Sequence, residues 1–443
     1  MKFTISKRLL LQMLNKLKEG HLEIVCPEDT YIFGLSDAEL KAVLAVHNQR
    51  FFRRALFGGD VGIGESYMCG EWSTPDLVAV VRLGVRNLER LESAGRFTGF
   101  FRRSIDLISH LSHRNTQAGS KRNIAYHYDL GNDFYRLFLD PTLCYSCAYY
   151  EAPDISLENA QLAKLDRICQ KLQLNRNDHV LEIGTGWGSF AAFAASNYGC
   201  RVTTTTISRQ QYDYAKEFFS HNGLDGRVNL LFEDYRNLRG KFDKIVSIEM
   251  FEAVGYEHYD DYFGVCDRLL KFNGAMLLQT ITIRESRFDQ YRKQSDWIKK
   301  HIFPGAELAS ILAIISSLTR CTSLQLFDLE DIGLHYAFTL HDWRRRFLQR
   351  LDEVRRLGFD DNFIRMWDYY LAYCEAAFLE RYISDVQLVL AKVTSGTHSY
   401  RPLKVDGACA ANKIEPTTKT CDSNPAPGVA VSCPLGPPAR ETP

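Results

Sequence analysis

The most constraining feature of this chain is a glycine-rich turn, Glu182-Ile183-Gly184-Thr185-Gly186-Trp187-Gly188, joining a strand-like apolar run to a helix-like one. The same grammar repeats downstream. DHVLEIG, CRVTTTTIS, VNLLFEDY, KFDKIVSIEMF and AMLLQTITI read as strands, while GSFAAFAASNYG, RQQYDYAKEFFSHNG and HYDDYFGVCDRLLKFNG read as helices. That alternation predicts an α/β fold on a mostly parallel sheet with helices on both faces. SLQLFDLEDI and DVQLVLAKV add two late strands around a long helical insertion that holds TLHDWRRRFLQRLDEVRR and DDNFIRMWDYYLAYCEAAFLERY. In such a sheet the first turn lies at the carboxyl edge beside the topological switch, and its glycines admit a ligand close to the backbone. Its spacing is GxGxG, not the GxGxxG of a pyrophosphate loop, with Glu182 two residues ahead of the first glycine.

Composition bounds the remaining possibilities. The 443 residues leave room for about three units of roughly 150 residues, and 45% hydrophobic with 24% charged residues suits a folded enzyme. Lys and Arg total 54, matched by 54 Asp and Glu, so no global field recruits a polyanion and nucleic acid is not expected as a partner. MKFTISKRLLLQMLNKLKEG reads as an amphipathic helix rather than a signal peptide, for it lacks a small-residue cleavage site. The longest apolar run, Leu308 to Leu318, is about half of the ~20 residues a spanning helix needs. Twelve scattered cysteines point to a reducing, cytoplasmic setting rather than a disulfide scaffold. No metal site is expected, because Cys409, Cys421 and Cys433 have no His or CxxC partner, and Cys144 with Cys147 is a single pair.

Three regions follow. Residues 1 to about 80 mix short runs with the turn-rich GGDVGIGESYMCGEW, which suits a small α+β domain without visible chemistry. From Arg82 to Arg122 nine Lys/Arg face three acids, and Arg82, Arg86 and Arg90 share one helix face. That face is either a solvated linker or a patch for anionic lipid headgroups, and the interleaved Phe97, Phe100 and Phe101 suit the latter. The domain boundaries are 1–122 for the α+β and basic lipid-docking part and 123–393 for the ligand-binding domain, with 394–443 a disordered tail holding eight of the 13 prolines.

The ExGxGxG turn resembles the class I methyltransferase loop that holds S-adenosylmethionine. The usual acidic ribose partner is absent from TTISRQQ, so hydroxyls and an amide must replace it. NIAYHYDLGNDFY, YSCAY, LEIGTGWG, TTISRQQ, FDKIVSIEMFEAVG, WIKKHIFPG, TLHDW and RMWDYYLAYC together resemble the cyclopropane-fatty-acyl-phospholipid synthase family, relatives of the mycolic acid cyclopropane synthases. GESYMCGEW is similar to that family's N-terminal domain, so the resemblance runs from about Phe57 to Lys392. It implies a class I Rossmann-like sheet with a helical insertion behind a small α+β domain. It also implies methyl transfer from S-adenosylmethionine to a cis double bond of a phospholipid acyl chain, then loss of a proton from the carbocation to close a ring.

By that resemblance Tyr145, Ser146, Gly184, Gly186, Thr206 and Gln211 contact the cofactor and Asp234 approaches the adenine, with Glu182 and Gly188 completing the loop. Family members hold a bicarbonate ion as base with a Cys, a Glu, a His and a Tyr, of which Cys147, Glu252 and Tyr336 are present. The fourth departs: Gln279 stands where the family has His in LLHTI, and Ala253 follows the motif's Glu. Glutamine donates hydrogen bonds but cannot ionise. Either bicarbonate is held more loosely or deprotonation differs, so a methyl- or methylene-branched product is the alternative, with a non-catalytic lipid-binding module behind it. Cys147 also reads as a buried structural thiol, and His127, between two tyrosines, as a core histidine. The partner expected is an unsaturated bilayer surface met peripherally; a homodimer is compatible with the sequence.

Overall fold

A computed structural model of the chain describes residues 5–94 and 130–392. The second half of the basic segment, the run containing His127 and the 394–443 tail lie outside the described residues.

The N-terminal part begins with α1 (Ile5–Leu14), followed by β1 (His21–Val25), β2 (Thr30–Gly34), β3 (Lys41–Val46), α2 (Arg50–Met68), β4 (Trp72–Ser73) and α3 (Leu77–Arg86). Its strands form a four-stranded sheet in the order β2-β1-β3-β4. The glycine-rich stretch that reads as turns in the sequence is the second half of α2, broken at Gly59, where φ is 56°. Its glycines allow close approach instead of reversal. A Cβ at Gly64 would lie 2.4 Å from the Trp297 ring, and one at Gly62 would lie 2.0 Å from the Arg54 carbonyl.

The larger sheet comprises β5 (His179–Ile183), β6 (Arg201–Thr206), β7 (Val228–Phe232), β8 (Phe242–Ile248), β9 (Leu270–Ile283), β10 (Leu324–Asp331) and β11 (Ile383–Lys392). Its order is β10-β11-β9-β8-β5-β6-β7, parallel except for β11, which runs antiparallel to both neighbours. Val180, Leu181, Ile245, Val246, Met276, Leu277 and Leu278 are fully buried, the continuous apolar runs of strands covered on both faces. The helix expected over HYDDYFGVCDRLLKFNG stops at Leu269, and Leu270 already pairs with Phe242 as the first residue of β9. Buried Leu270 is drawn into the sheet core, and exposed Lys271 to Asn273 lie within the strand rather than on a last helical turn.

Against this sheet pack α4 (Leu157–Lys171) and the helical insertion, chiefly α5 (Gly333–Gln349) and α6 (Asp361–Leu379). The N-terminal part docks on the insertion through charge as well as packing. Arg82 and Arg86 donate to the two carboxylate oxygens of Glu380 at 2.6 and 2.8 Å, Tyr67 donates to Asp368 at 2.6 Å, and Arg287 pairs with Glu92 at 2.8 Å. Arg90 pairs with Glu19 at 3.0 Å. The described part of the basic face is therefore neutralised largely within the molecule. No helix among the described residues is long and apolar enough to cross a membrane.

Candidate active site

The order of the sheet reverses between β5 and β8, so the segments leaving their carboxyl ends face one another. After β5, Gly184, Gly186 and Gly188 adopt φ of 102°, 54° and 96°, a conformation that glycine tolerates best. A Cβ on Gly186 would touch no protein atom, so that face of the loop is open. Gly188 serves packing instead, since it precedes the helix Ser189–Asn197 and a Cβ there would lie 2.8 Å from the Phe219 ring. Gly184 and Gly186 line a cavity of about 1130 Å³, as do Tyr145, Ser146, Thr206, Gln211 and Asp234. Gly188 does not line it.

The TTTT strand satisfies its own hydroxyls. Thr204 donates to Glu182 at 2.5 Å, and Thr206 donates to the Gln211 amide oxygen at 3.0 Å, placing that pair on the cavity wall. Burial pushes the Glu182 carboxyl up to about 8. Lys164, buried on the same wall, donates to Ser146 Oγ at 2.7 Å. Asp234 caps its own short turn and pairs with Arg236 at 2.8 Å. Open space against Gly186, with Thr206, Gln211 and Asp234 around it, fits an adenosyl group.

Beyond the loop lies a cluster of carboxylates. β8 ends at Ile248, and Glu249 follows at φ 48°, a left-handed conformation costly for a residue with a Cβ. Its backbone N–H donates to the Gln279 carbonyl at 2.8 Å. One Glu249 carboxylate oxygen accepts from the Cys147 backbone N–H at 2.7 Å and the Gln279 amide at 2.8 Å, and the other from the Tyr336 hydroxyl at 2.6 Å. Gln279 also donates to Asp385 at 3.0 Å and accepts from Gln387 at 3.1 Å. Glu252 Oε1 accepts from the Ile281 N–H at 2.6 Å and Thr280 Oγ1 at 2.8 Å, while its buried Oε2 has no hydrogen-bond partner among the described residues. Burial, then the neighbouring Glu249, lifts Glu252 to about 7. Burial and Glu249 hold Asp385 well above the carboxylate range, and burial raises Glu249 against the pull of its donors.

Three of the four expected catalytic residues thus converge, but on Glu249, a residue that sequence reasoning misses. Glu249, Glu252 and Tyr336 line the cavity, whereas Cys147 and Gln279 stand behind Glu249. Cys147 contributes its backbone N–H, while its thiol donates to the Ala148 carbonyl at 3.2 Å and is held well above its usual range by burial. The donors expected to hold bicarbonate are already engaged by a side-chain carboxylate. A second anion there would face Glu249 in a buried site, so these residues do not fit bicarbonate. The signal for Glu249 in the sequence is slight: a second carboxylate three residues before Glu252 at the switch-point strand end.

Aromatic rings face the carboxylates across the cavity. Tyr145 stacks on Trp343 at 5.1 Å and its hydroxyl meets that of Tyr370 at 2.9 Å; Tyr336 stacks on Phe378 at 4.5 Å. From there the cavity continues between the two parts of the molecule, walled by Ile63, Val80, Val81, Val85 and Leu88, and reaches Phe57, whose side chain is half exposed.

A model of the family described as mycolic acid cyclopropane synthetase matches residues 115–388. The chain belongs to this family. Tuberculostearic acid methyltransferase UfaA1 of Mycobacterium tuberculosis is 36% identical over 402 residues, covering 88% of this chain and 91% of that protein. The cyclopropane-fatty-acyl-phospholipid synthase of Escherichia coli K12 is 39% identical over 357 residues, covering 79% of this chain and 88% of the relative. A solved structure of the mycolic acid cyclopropane synthase CmaA1, complexed with SAH and CTAB, superposes with a TM-score of 0.57 at 31% identity over 61% of this chain and 98% of that one. As a family member the chain is an S-adenosylmethionine-dependent methyltransferase of the cyclopropane synthase type, on the class I methyltransferase fold.

Proposed function

We propose that this enzyme adds one carbon across a cis double bond of a phospholipid-borne acyl chain and closes a cyclopropane ring. The observation that carries the reading is one continuous cavity joining the glycine loop, the carboxylate and aromatic cluster, and an apolar passage to Phe57. When bound, S-adenosylmethionine supplies an electrophilic methyl on a sulfonium. Gly184, Gly186, Thr206, Gln211 and Asp234 would hold it, with Tyr145 and Ser146 above the loop. The apolar passage positions a hydrocarbon chain and excludes water, which would otherwise capture a cation. Tyr145, Tyr336, Tyr370 and Phe378 offer ring faces to developing positive charge, worth about 2 kcal/mol or more per desolvated contact.

Access from a bilayer is part of the proposal. Ile5, Leu9 and Phe57 are exposed on α1 and α2, Phe57 at the cavity's outer end, and this apolar surface suits lipid contact better than the internally paired Arg82 and Arg86. A second reading, methyl or methylene branching, is favoured by the match to the tuberculostearic acid methyltransferase over most of the chain, together with Gln279 in place of histidine. Incubation with S-adenosylmethionine and cis-monounsaturated phospholipid vesicles, followed by mass spectrometry and ozonolysis, separates them. A one-carbon gain without a surviving olefin is the expected result; a gain with an olefin retained indicates branching, and no gain overturns both.

A further inference from the structure

We propose that Glu249 is the general base of the reaction, a carboxylate built into the chain on the cavity wall and held there by its own three donors. The inference rests on the olefin-methylation reading and names the group that completes it. Three observations converge. Glu249 lines the cavity beside Tyr336, Tyr370 and Tyr145. Three donors from three separate segments, Cys147, Gln279 and Tyr336, end on its two oxygens, a constellation that stabilises a carboxylate in its charged form. Its backbone is left-handed, where glycine would sit without strain, and a side chain kept there at a cost points to use.

Asp385 and Glu182 are excluded by position. Asp385 lies behind Gln279, outside the cavity lining, where burial and Glu249 hold its carboxyl well above the usual range. Glu182 is tied to Thr204 under the glycine loop. Glu252, which also lines the cavity, receives two donors from the single strand β9 on one oxygen and keeps the other unpartnered among the described residues. Glu252→Gln measured beside Glu249→Gln therefore decides between the two, and a larger loss at Glu252 overturns the proposal. Gln279, behind Glu249, is a positioning residue, whose amide fixes one carboxylate oxygen and carries no proton to the reacting carbon.

The step balances without a further reactant. The olefin π pair forms the bond to the transferred methyl carbon while the carbon–sulfur pair leaves with sulfur, placing positive charge on the second olefinic carbon. Glu249 takes a proton from the new methyl, and the freed C–H pair closes the third ring bond. The net products are a neutral ring, a neutral thioether and one proton on Glu249, which passes to solvent between turnovers.

The test combines turnover with anion binding. Wild-type turnover in carbon-dioxide-free buffer should not change on adding bicarbonate, and calorimetry should detect no bicarbonate binding. Glu249→Gln should lose about 10²- to 10⁴-fold in turnover, the range of a general base. Glu249→Gly, relieved of backbone strain, leaves the Cys147, Gln279 and Tyr336 donors unpaired, so it should bind bicarbonate or formate and regain activity with added bicarbonate. Wild-type activity that depends on bicarbonate, or Glu249→Gln within twofold of wild type, overturns the proposal. Anion binding by Glu249→Gly but not by wild type supports it even if phospholipid proves the wrong substrate, and equal binding by both overturns it.

Discussion

At the scale of single residues, the chemistry turns on which carboxyl groups hold a proton. Glu252 is lifted to about 7 by burial and by Glu249, and burial raises Glu249 above the ordinary carboxylate range, so both give up their protons at higher pH than a free carboxyl does. A base must be deprotonated to act. The rate of the methyl-transfer reaction should therefore rise with pH above the ordinary carboxylate range and then level off, with no matching change in cofactor affinity; a flat profile in single-turnover measurements would contradict this. Gln279→Ala removes a donor to the charged form of Glu249 and so weakens the stabilisation of that form. Its rate profile should shift to higher pH by about one unit, equivalent to about 1.4 kcal/mol, while S-adenosylmethionine binding by calorimetry stays near wild type. A uniform loss with an unshifted profile would make Gln279 merely structural.

At the scale of elements, the strand and helix alternation from β5 to β9 was legible because period and glycine punctuation survive in the sequence. Sequence pattern failed where tertiary contact decided the outcome. The glycines of α2 looked like turn residues, but Gly64 is small because Trp297 lies against it. Glu249 was hidden because its donors come from the Cys147 segment, β9 and α5, which no local spacing connects. Glu252, Tyr336 and the glycine loop were readable because each sits in a run carrying its own motif. The loop glycines also differ in a testable way. Gly186→Ala adds a methyl into open cavity, so it should lower cofactor affinity at least tenfold by calorimetry with a modest stability cost of about 1–2 kcal/mol from the left-handed backbone. Gly188→Ala drives its methyl into Phe219, so it should lower the melting temperature more than Gly186→Ala does. The reverse ranking would reject the division between a ligand-facing and a packing glycine.

At the scale of the whole molecule, the N-terminal part is a wall of the active site and not only an appendage. Val80, Val81 and Val85 of α3 line the apolar passage, and Arg82 and Arg86 of the same helix fasten it to Glu380. Glu380 is nearly buried, so losing both arginines leaves an unpaired carboxylate. Arg82→Glu with Arg86→Glu should lower the melting temperature and slow acyl-chain turnover, and adding Glu380→Arg should recover part of both losses. Unchanged stability in the double variant would show that the docking is carried by packing alone.

The proposed meeting of a methyl donor and an unsaturated acyl chain at Glu249, in one cavity, is open to measurement. Its most direct measurement uses methyl-deuterated S-adenosylmethionine and cis-monounsaturated phospholipid vesicles, with the lipid product analysed by mass spectrometry. Label is expected in the acyl chain, with one deuterium of the methyl lost to the base and no surviving olefin. Full retention of the methyl deuterium would contradict proton removal from the new methyl, and absence of label from the lipid would contradict the meeting itself.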